Sequence, residues 1–438
     1  DEFVEFAGAQ AFLNAMQNYP LLKGQQTNLY KCFLPRAWSL SNSQGVSGFL
    51  HPEGIYDDPK AGRLRREAYP RLRRHFQFQN GMFLFPEVAH RAKYSINIYG
   101  TASTAKFDSI SNIFAVKTID QCFADGGFGP PPGIKDENDQ WSVVGHRDRI
   151  VAISTNELDL FARLYDGEGT PTLEARLPAL HTQQLIEVLE KFATYPHRLS
   201  DLEGEYIALE MWHETNAQND GTIRRDTQFP ATTQQLILSG PHFFVANPLN
   251  KTPREICKEK GHYDILDLAT LTDEYLPRTN YVPDCDLAEY RRRTANVPWD
   301  QRQKVTDCYR YTSREMISQG AERALIPIIS PPGVGHVHTC ISVAFRDLLK
   351  MAAFAGSCVS IPIDFWVKST GVGHVNSSAL GRLLHVYSFK IVLRALALNC
   401  LTTHYAELWS ECWDEAFKDQ RWLVPEDTGH GSRVMGPE

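Results

Sequence analysis

The sequence lacks any apolar run long enough to cross a membrane. The longest candidate, Leu383 to Leu401, is broken by His385, Ser388, Lys390 and Arg394, whereas a spanning helix needs roughly 20 consecutive apolar residues. That stretch reads as a buried core helix, and no membrane partner is expected. Positive charge is not in excess either: 45 Lys and Arg against 52 Asp and Glu give a formal net charge of −7. The molecule as a whole does not attract nucleic acid, so any DNA contact has to come from local basic surface. Cysteine pairs are missing. The nine cysteines (Cys32, Cys122, Cys257, Cys285, Cys308, Cys340, Cys358, Cys400, Cys412) form no C-x-x-C pair and keep no regular spacing. An odd, scattered set fits free thiols in a reducing cytoplasm, the expected location. No signal peptide is evident, and no initiator Met: the chain opens Asp1-Glu2-Phe3. The expectation is a piece of something longer, or a processed product. Internal repeats and low-complexity tracts are absent.

What remains is an ordinary globular composition, 42% hydrophobic and 22% charged over 438 residues, enough for two or three domains at roughly 150 residues each. Residues 8–18 have helical composition, stopped by Pro20, and a second helix is expected over Asn28 to Trp38. Gly48 to Pro52 reads as a strand, and Ala61 to Phe76 as an Arg-rich helix. Phe76-Gln77-Phe78 and Tyr94 to Tyr99 alternate apolar and polar, the period of half-buried strands. Together these give helix, strand, helix and a closing hairpin, the second half of an α/β sheet. Gly126 to Gly133 is a Gly/Pro loop, and a domain boundary is expected there. Order resumes over Val151 to Tyr165. Thr182 to Phe192 reads as an amphipathic helix capped by Thr182, with Leu185, Ile186, Val188, Leu189 and Phe192 inward. Glu205 to Pro283 looks irregular α+β. After Leu325 to Ile329, helices are expected over Ile341 to Ala355, Ser378 to Leu401 and His404 to Phe417.

Several clusters could carry chemistry. Arg63, Arg65, Arg66, Arg71, Arg73 and Arg74 place six guanidiniums within twelve residues; they could pair with phosphates, but spacing alone favours a solvated face or a domain-docking surface. Arg291-Arg292-Arg293 after Glu289-Tyr290, with Trp299 nearby, interleaves basic and aromatic groups as a phosphate-gripping surface does; a surface charge run is the alternative. His336-Val337-His338 would set two imidazoles on one side of a strand, but no third ligand accompanies them and no metal is expected. Pro283-Asp284 with Glu289-Tyr290-Arg291 bears only a faint likeness to a nuclease core, in a polar, loop-like segment. Gly129 to Gly133 and Ser330-Pro331-Pro332-Gly333 carry double prolines, with neither an aromatic after them nor Asn or Asp before. They cannot supply an Asn/Asp-Pro-Pro-aromatic loop that binds a target adenine. No convincing Gly-rich cofactor loop follows a first strand.

Four stretches carry a resemblance. Asn28 to Ala37 followed by Gly48-Phe49-Leu50-His51-Pro52 is the first, and Phe83-Leu84-Phe85-Pro86 with Arg91-Ala92-Lys93-Tyr94-Ser95 the second. The third is Arg314-Glu315-Met316-Ile317 with Glu322-Arg323-Ala324-Leu325-Ile326. The fourth is Asp364-Phe365-Trp366-Val367-Lys368 with Gly373-His374-Val375-Asn376. In order and spacing they resemble the region downstream of the catalytic loop in gamma-class adenine-N6 DNA methyltransferases, of the type IIG restriction-modification, BREX and DISARM phage-defence kind. The likeness runs from about Asn28 to His404 and is weakest over Glu205 to Arg293.

The resemblance implies an α/β methyltransferase sheet remnant (1–120), an α+β target-recognition domain (135–330) and a helical C-terminal region (331–438). It implies sequence-specific recognition of double-stranded DNA and capture of a target adenine for S-adenosylmethionine-dependent methylation, marking self DNA. A base inside a duplex must be flipped out and held by stacking before its amino group can react. The family's stacking aromatic falls here on Phe85; core packing is the other role for it. DNA contacts are expected at Arg63, Arg66, Arg73, Arg91, Lys93, Arg291, Arg292, Arg293, Arg314, Arg323, Lys368, His374 and Asn376. Gly320-Ala321 stands where the family has Thr-Asn, and the segment after Asp364 is one residue shorter, so Arg314 and Arg323 either touch DNA or organise the fold. S-adenosylmethionine would be held by a missing N-terminal half, in the same polypeptide or a partner subunit, and other defence-system proteins are further candidate partners. This chain alone is not expected to methylate. The rival reading is a non-catalytic specificity subunit or scaffold of a defence complex.

Overall fold

The structure, a computed structural model, describes residues 2–26, 28–259, 261–317, 321–370 and 373–421. Gly320 and the last 17 residues of the expected helical region, 422–438, lie outside the described residues. The fold is mixed α/β with several small sheets. The chain divides into two compact units, Asp1–Tyr195 with Ser369–Gly371, and Pro196–Lys368 with Val372–Glu438. The loop at 126–133, where composition suggests a boundary, lies inside the first unit, because the strand that follows it rejoins the same sheet.

That sheet has five strands: β1 (Ser47–Pro52), β2 (Leu72–Gln79), β3 (Lys93–Tyr99), β4 (Lys106–Ile113) and β5 (Val151–Ser154). Their order is β1-β3-β2-β4-β5. β3 runs antiparallel to both β1 and β2, so those two are parallel to one another, and β4 continues parallel to β2. The expected Arg-rich helix is shorter than the composition suggests. It covers Gly62–Ala68, and the chain re-enters as β2 at Leu72. Pro70 lacks the N–H that a continuing helix needs, and a bulge between Leu72 and Arg74 sets the new register.

The alternation along these strands gives a period but not an inside. Here the polar face is buried as well as the apolar one. Across β1, β3 and β2 the register aligns His51, Ser95 and Gln77 in one row and Phe49, Asn97 and His75 in the next. His51, Ser95, Gln77, Asn97 and His75 are all buried. Glu53, just past β1, is buried among them, and its carboxylate accepts from Gln77 Nε2 at 3.0 Å and lies 3.3 Å from His75 Nε2. The Tyr56 hydroxyl donates to Asn97 at 2.6 Å. Such a row is tolerable under helices only when its members satisfy one another. The opposite face is apolar: Phe78, Tyr94, Ile110 and Ile113 pack with Cys122 of helix Lys117–Ala124.

Two further helices close this unit. Thr155–Tyr165 opens on a Ser154/Glu157 capping box. The amphipathic helix runs Leu185–Thr194 and buries Ile186, Leu189 and Phe192 as expected, but Thr182 does not cap it: Gln184 is the first flanking residue and no side-chain cap forms.

The second unit is built on a four-stranded antiparallel sheet, ordered Pro327–Ser330, Arg310–Arg314, Cys340–Phe345 and β6 (Tyr206–Leu209). Residues 341–355 are therefore not one helix. Every residue of the strand Cys340–Phe345 is buried, and helix Leu348–Val359 follows it. A continuous apolar run of that length looks the same for a buried strand and a buried helix. The expected helix over 378–401 is likewise two, Ser377–Gly381 and Phe389–Asn399. The second buries Val392, Leu393, Ala395 and Leu396 and crosses Leu348–Val359 so closely that a Cβ on Gly356 would lie 2.5 Å from Ile391 Cγ2. Beside the sheet, β7 (Ile223–Gln228) pairs with Thr279–Pro283, and Lys251–Pro253 pairs with Tyr263–Ile265.

Candidate nucleic-acid interface

The connection from β2 to β3 is a shaped loop. Asn80 is fully buried and spends its side chain on the loop's own backbone. Its Nδ2 donates to the carbonyls of Phe85 and Val88 at 2.9 and 2.7 Å, and its Oδ1 accepts from Phe85 N at 3.1 Å. Phe83 adopts a left-handed backbone at φ 52°, a conformation uncommon outside glycine and asparagine. The result is an apolar tip in which Met82, Phe83, Leu84, Phe85 and Val88 are each 40–55% exposed. Phe85 rests edge-on against Tyr94, with centroids 5.0 Å apart at 81°, and Tyr94 stacks on Phe78. The ring is thus braced by Tyr94 and remains partly exposed. The sequence draws attention to Phe85 and not to Asn80, although an Asn-Gly pair closing a strand is a usable turn signal.

Around this hairpin the candidate cations divide by partner. Arg91 is exposed, with Nε 3.3 Å from the His90 ring. Lys93 is half-buried; burial pushes its pKa down, against the pull of Asp57 and Glu53. Arg63 is exposed, while Arg66 is ion-paired with Glu174. Arg73 donates to the carbonyls of Pro70, Leu72 and Thr101, and Arg74 pairs with Asp108 at 3.0 Å. Arg65 is entirely buried, clasping the carbonyls of Ile55, Asp58 and Glu174. The six-arginine cluster is therefore mostly internal bracing, split between a helix and a strand.

In the second unit Arg291 is paired with Asp307, while Arg292 and Arg293 both hold Glu289. Each guanidinium already faces a carboxylate, so this surface is close to charge-balanced. Glu289 and Asp284 are spent on arginines, Asp284 on Arg224, which leaves no nuclease-like carboxylate pair there. His336 is buried, held by Ser342 Oγ at 2.8 Å, and burial with Arg310 nearby lowers its pKa to about 3. His338 stacks on His213 at 4.5 Å. Among the described residues no group of three metal-ligating side chains converges.

The two sequence blocks at 314–326 and 364–376 meet. Ile317 N donates to Gly373 O and Val375 N to Glu315 O, forming a short antiparallel seam, and His374 pairs with Glu315 at 3.1 Å. Asp364 accepts from the N–H groups of Ala324 and Leu325 and pairs with Arg323 at 3.3 Å. Lys368 Nζ donates to Ala321 O at 2.7 Å, and Asn376 caps the helix Ser377–Gly381 through Ala379 N. Arg323, Lys368 and His374 thus hold the two blocks together, while Asn376 caps the helix that follows. Arg314 lines a cleft beside the seam, with its guanidinium over Phe243 and Phe244.

No family model matches the sequence, and no curated protein does. Among solved structures the chain is similar to the type IIG restriction endonuclease BpuSI, at 9% identity and a TM-score of 0.29, over 90% of this chain and 47% of that one. It spans about half of that enzyme's length, and at that TM-score the overlay fixes neither fold nor function. Among the described residues no single helix is long and apolar enough to cross a membrane.

Proposed function

We propose that this chain reads double-stranded DNA and captures a target adenine for S-adenosylmethionine-dependent N6 methylation, as the DNA-binding half of a gamma-class enzyme of restriction or phage defence. The observation that carries the reading is the β2–β3 hairpin. Its return strand is inserted antiparallel between two parallel strands, and its tip offers a 40% exposed aromatic ring braced by an edge contact with Tyr94. A flipped adenine needs a stacking partner that is already in place when it arrives, and Asn80 fixes the loop that presents Phe85.

The edge of the sheet supports a second component. β1 is terminal in the strand order, and Leu50 on it is 53% exposed. An edge strand with an uncovered apolar side chain is a ready template for pairing; a cofactor-bearing segment would continue the sheet there. Neither proline- and glycine-rich stretch has the form of an S-adenosylmethionine loop. The glycine-rich stretch at 126–133 follows helix Lys117–Ala124 instead of linking a strand to a helix. The Pro331-Pro332-Gly333 turn is closed onto its neighbours, Gly333 N donating to Thr306 O and a Cβ there falling 2.5 Å from Thr233 Oγ1. What this chain contributes is orientation of the duplex and seating of the base.

Phe85→Ala should leave duplex affinity unchanged and weaken capture of an extrahelical purine by about 1–3 kcal/mol, one lost stacking partner. With 2-aminopurine at the target position, the bound duplex should be bright with wild type and quenched with the variant. Equal fluorescence in both complexes would remove Phe85 from this role. Addition of a candidate cofactor-binding half should restore methyl transfer to the wild-type mixture and not to the Phe85→Ala mixture; binding without transfer in either would favour a specificity subunit.

A further inference from the structure

A cavity of about 690 Å³ opens in the second unit, lined by residues 239–241 with Phe244, by 257–259 with Tyr263, and by Arg314, Met316, residues 321–324 and Ile326. That volume lies in the range of small-molecule sites, roughly 300–1,000 Å³. Its walls mix aromatic rings with charges of both signs: Phe244 and Tyr263, Arg314 and Arg323, Glu214 and Glu259. Arg314 is half-buried. It donates through one terminal nitrogen to Phe243 O, while its buried Nε has no partner. Its Cδ lies in ordinary packing distance of Gly240, 3.4 Å from where a Cβ there would stand. Phe244 is 36% exposed, in a tight turn where Phe244 and Asn247 exchange backbone hydrogen bonds and Ala246 sits at φ 54°. The Tyr263 hydroxyl is fixed by Ser239 and Asn280 at 3.1 and 2.7 Å.

Shape excludes one reading of these arginines. A side chain that reads base edges in an intact duplex must project into the groove. Arg314 and Arg323 are recessed in a concave wall, and Arg323 is held by Asp364. Composition excludes another, because carboxylates share the wall and a bare phosphate would meet Glu214 and Glu259 as well as the arginines. A planar ring whose polar edge carries both donors and acceptors suits guanidinium, carboxylate and aromatic groups together, and nucleobases have that chemistry.

We infer that this cleft holds a single nucleotide whose base has left the stack, the ring against Phe244 and its polar edge at Arg314. The exposed Arg225 and Lys258 on the lining meet its phosphate. The inference is separate from the adenine seat at Phe85, since none of these residues belongs to the first unit.

The test uses the whole chain and a short single-stranded oligonucleotide, followed by fluorescence anisotropy beside the same sequence as a duplex. Phe244→Ala should weaken single-strand binding about tenfold, the loss of one base–aromatic stack. Phe244→Tyr should restore it, Arg314→Gln should lose at least as much, and duplex affinity should be unchanged throughout. Phe244 is exposed, so its variant tests the site even if Arg314→Gln folds poorly. Displacement by free mononucleotides would assign the cleft to soluble nucleotides, whereas no displacement would assign it to a strand. Single-strand binding unaffected by Phe244→Ala, or single-strand and duplex affinity lost by equal factors, would overturn the site. Phe85→Ala should not alter the single-strand result, which keeps failure of one site distinct from failure of the other.

Discussion

Replacing Asp364 by alanine is expected to cost the second unit about 3–5 kcal/mol, the range for breaking a buried ion pair by deleting one partner. Asp364 is 4% exposed and performs two tasks. Its Oδ1 accepts from Ala324 N at 2.9 Å and Leu325 N at 2.7 Å, and the same atom lies 3.3 Å from Arg323 Nε. The alanine variant leaves two buried N–H groups without an acceptor, each costing about 1–3 kcal/mol. It also leaves Arg323 with only the Val359 carbonyl. Residues 323–325 would then be released from helix Ile361–Ser369, so amide exchange should rise first at Ala324 and Leu325. Removing Arg323 as well should relieve part of the penalty. Arg323→Ala/Asp364→Ala should fall short of the sum of the singles by on the order of 1–3 kcal/mol. Strict additivity in urea melts would show that the two side chains do not act as a pair.

How far the sequence discloses this arrangement depends on the distance between partners. The seam between the 314–326 and 364–376 blocks joins two stretches that the resemblance singles out as motifs, and their contact with each other is not legible in either one alone. The guanidiniums at 63–74 look alike in one dimension. What separates Arg65 from Arg63 is a carbonyl at Glu174, 109 residues away, and no local pattern reports that. The strands at 47–52 and 93–99 are legible because alternation is a local property. Their inward face is not, since a one-residue shift in reading exchanges the two sides. Pattern alone assigns Ile96 and Ile98 to the core. Ile96 does pack against the apolar cluster on one face, but Ser95, Asn97 and Tyr99 on the other face are the more deeply buried, because Glu53 and Tyr56 meet them there. The cleft in the second unit is illegible for the same reason: Phe244, Tyr263 and Arg314 come from three separate segments, and only the fold brings them to one wall.

Glu53→Gln should produce the second large loss, and its size should depend on pH. The Glu53 carboxylate is 4% exposed beside His75, Gln77 and Ser95. Burial by itself would raise its pKa, but the His75 ring and the hydrogen bonds from His75, Ser95 and Gln77 outweigh that cost and hold it at about 2, against an ordinary value of 4.5. A carboxylate whose pKa is depressed on folding stabilises the folded state above its unfolded pKa, and that contribution disappears as pH falls toward the folded one. The difference here is worth about 3 kcal/mol at neutral pH. It should fade as the pH drops from about 4.5 to about 2, the interval between the unfolded and folded values. Glutamine keeps the shape and one acceptor but never carries the charge, so the variant should be weaker at neutral pH and lose less on acidification. Amide exchange over residues 72–99 of the full chain, measured across that pH range, reads the strands this network ties together. The wild-type and variant curves should converge at the acid end. If they stay parallel, the stabilisation at Glu53 is packing and neutral hydrogen bonding, and its ionisation contributes nothing. Convergence would also bear on the hairpin. β2 and β3 are joined on their buried face by Gln77, Ser95 and His75 reaching Glu53, so the same acid interval should loosen the base of the loop that presents Phe85.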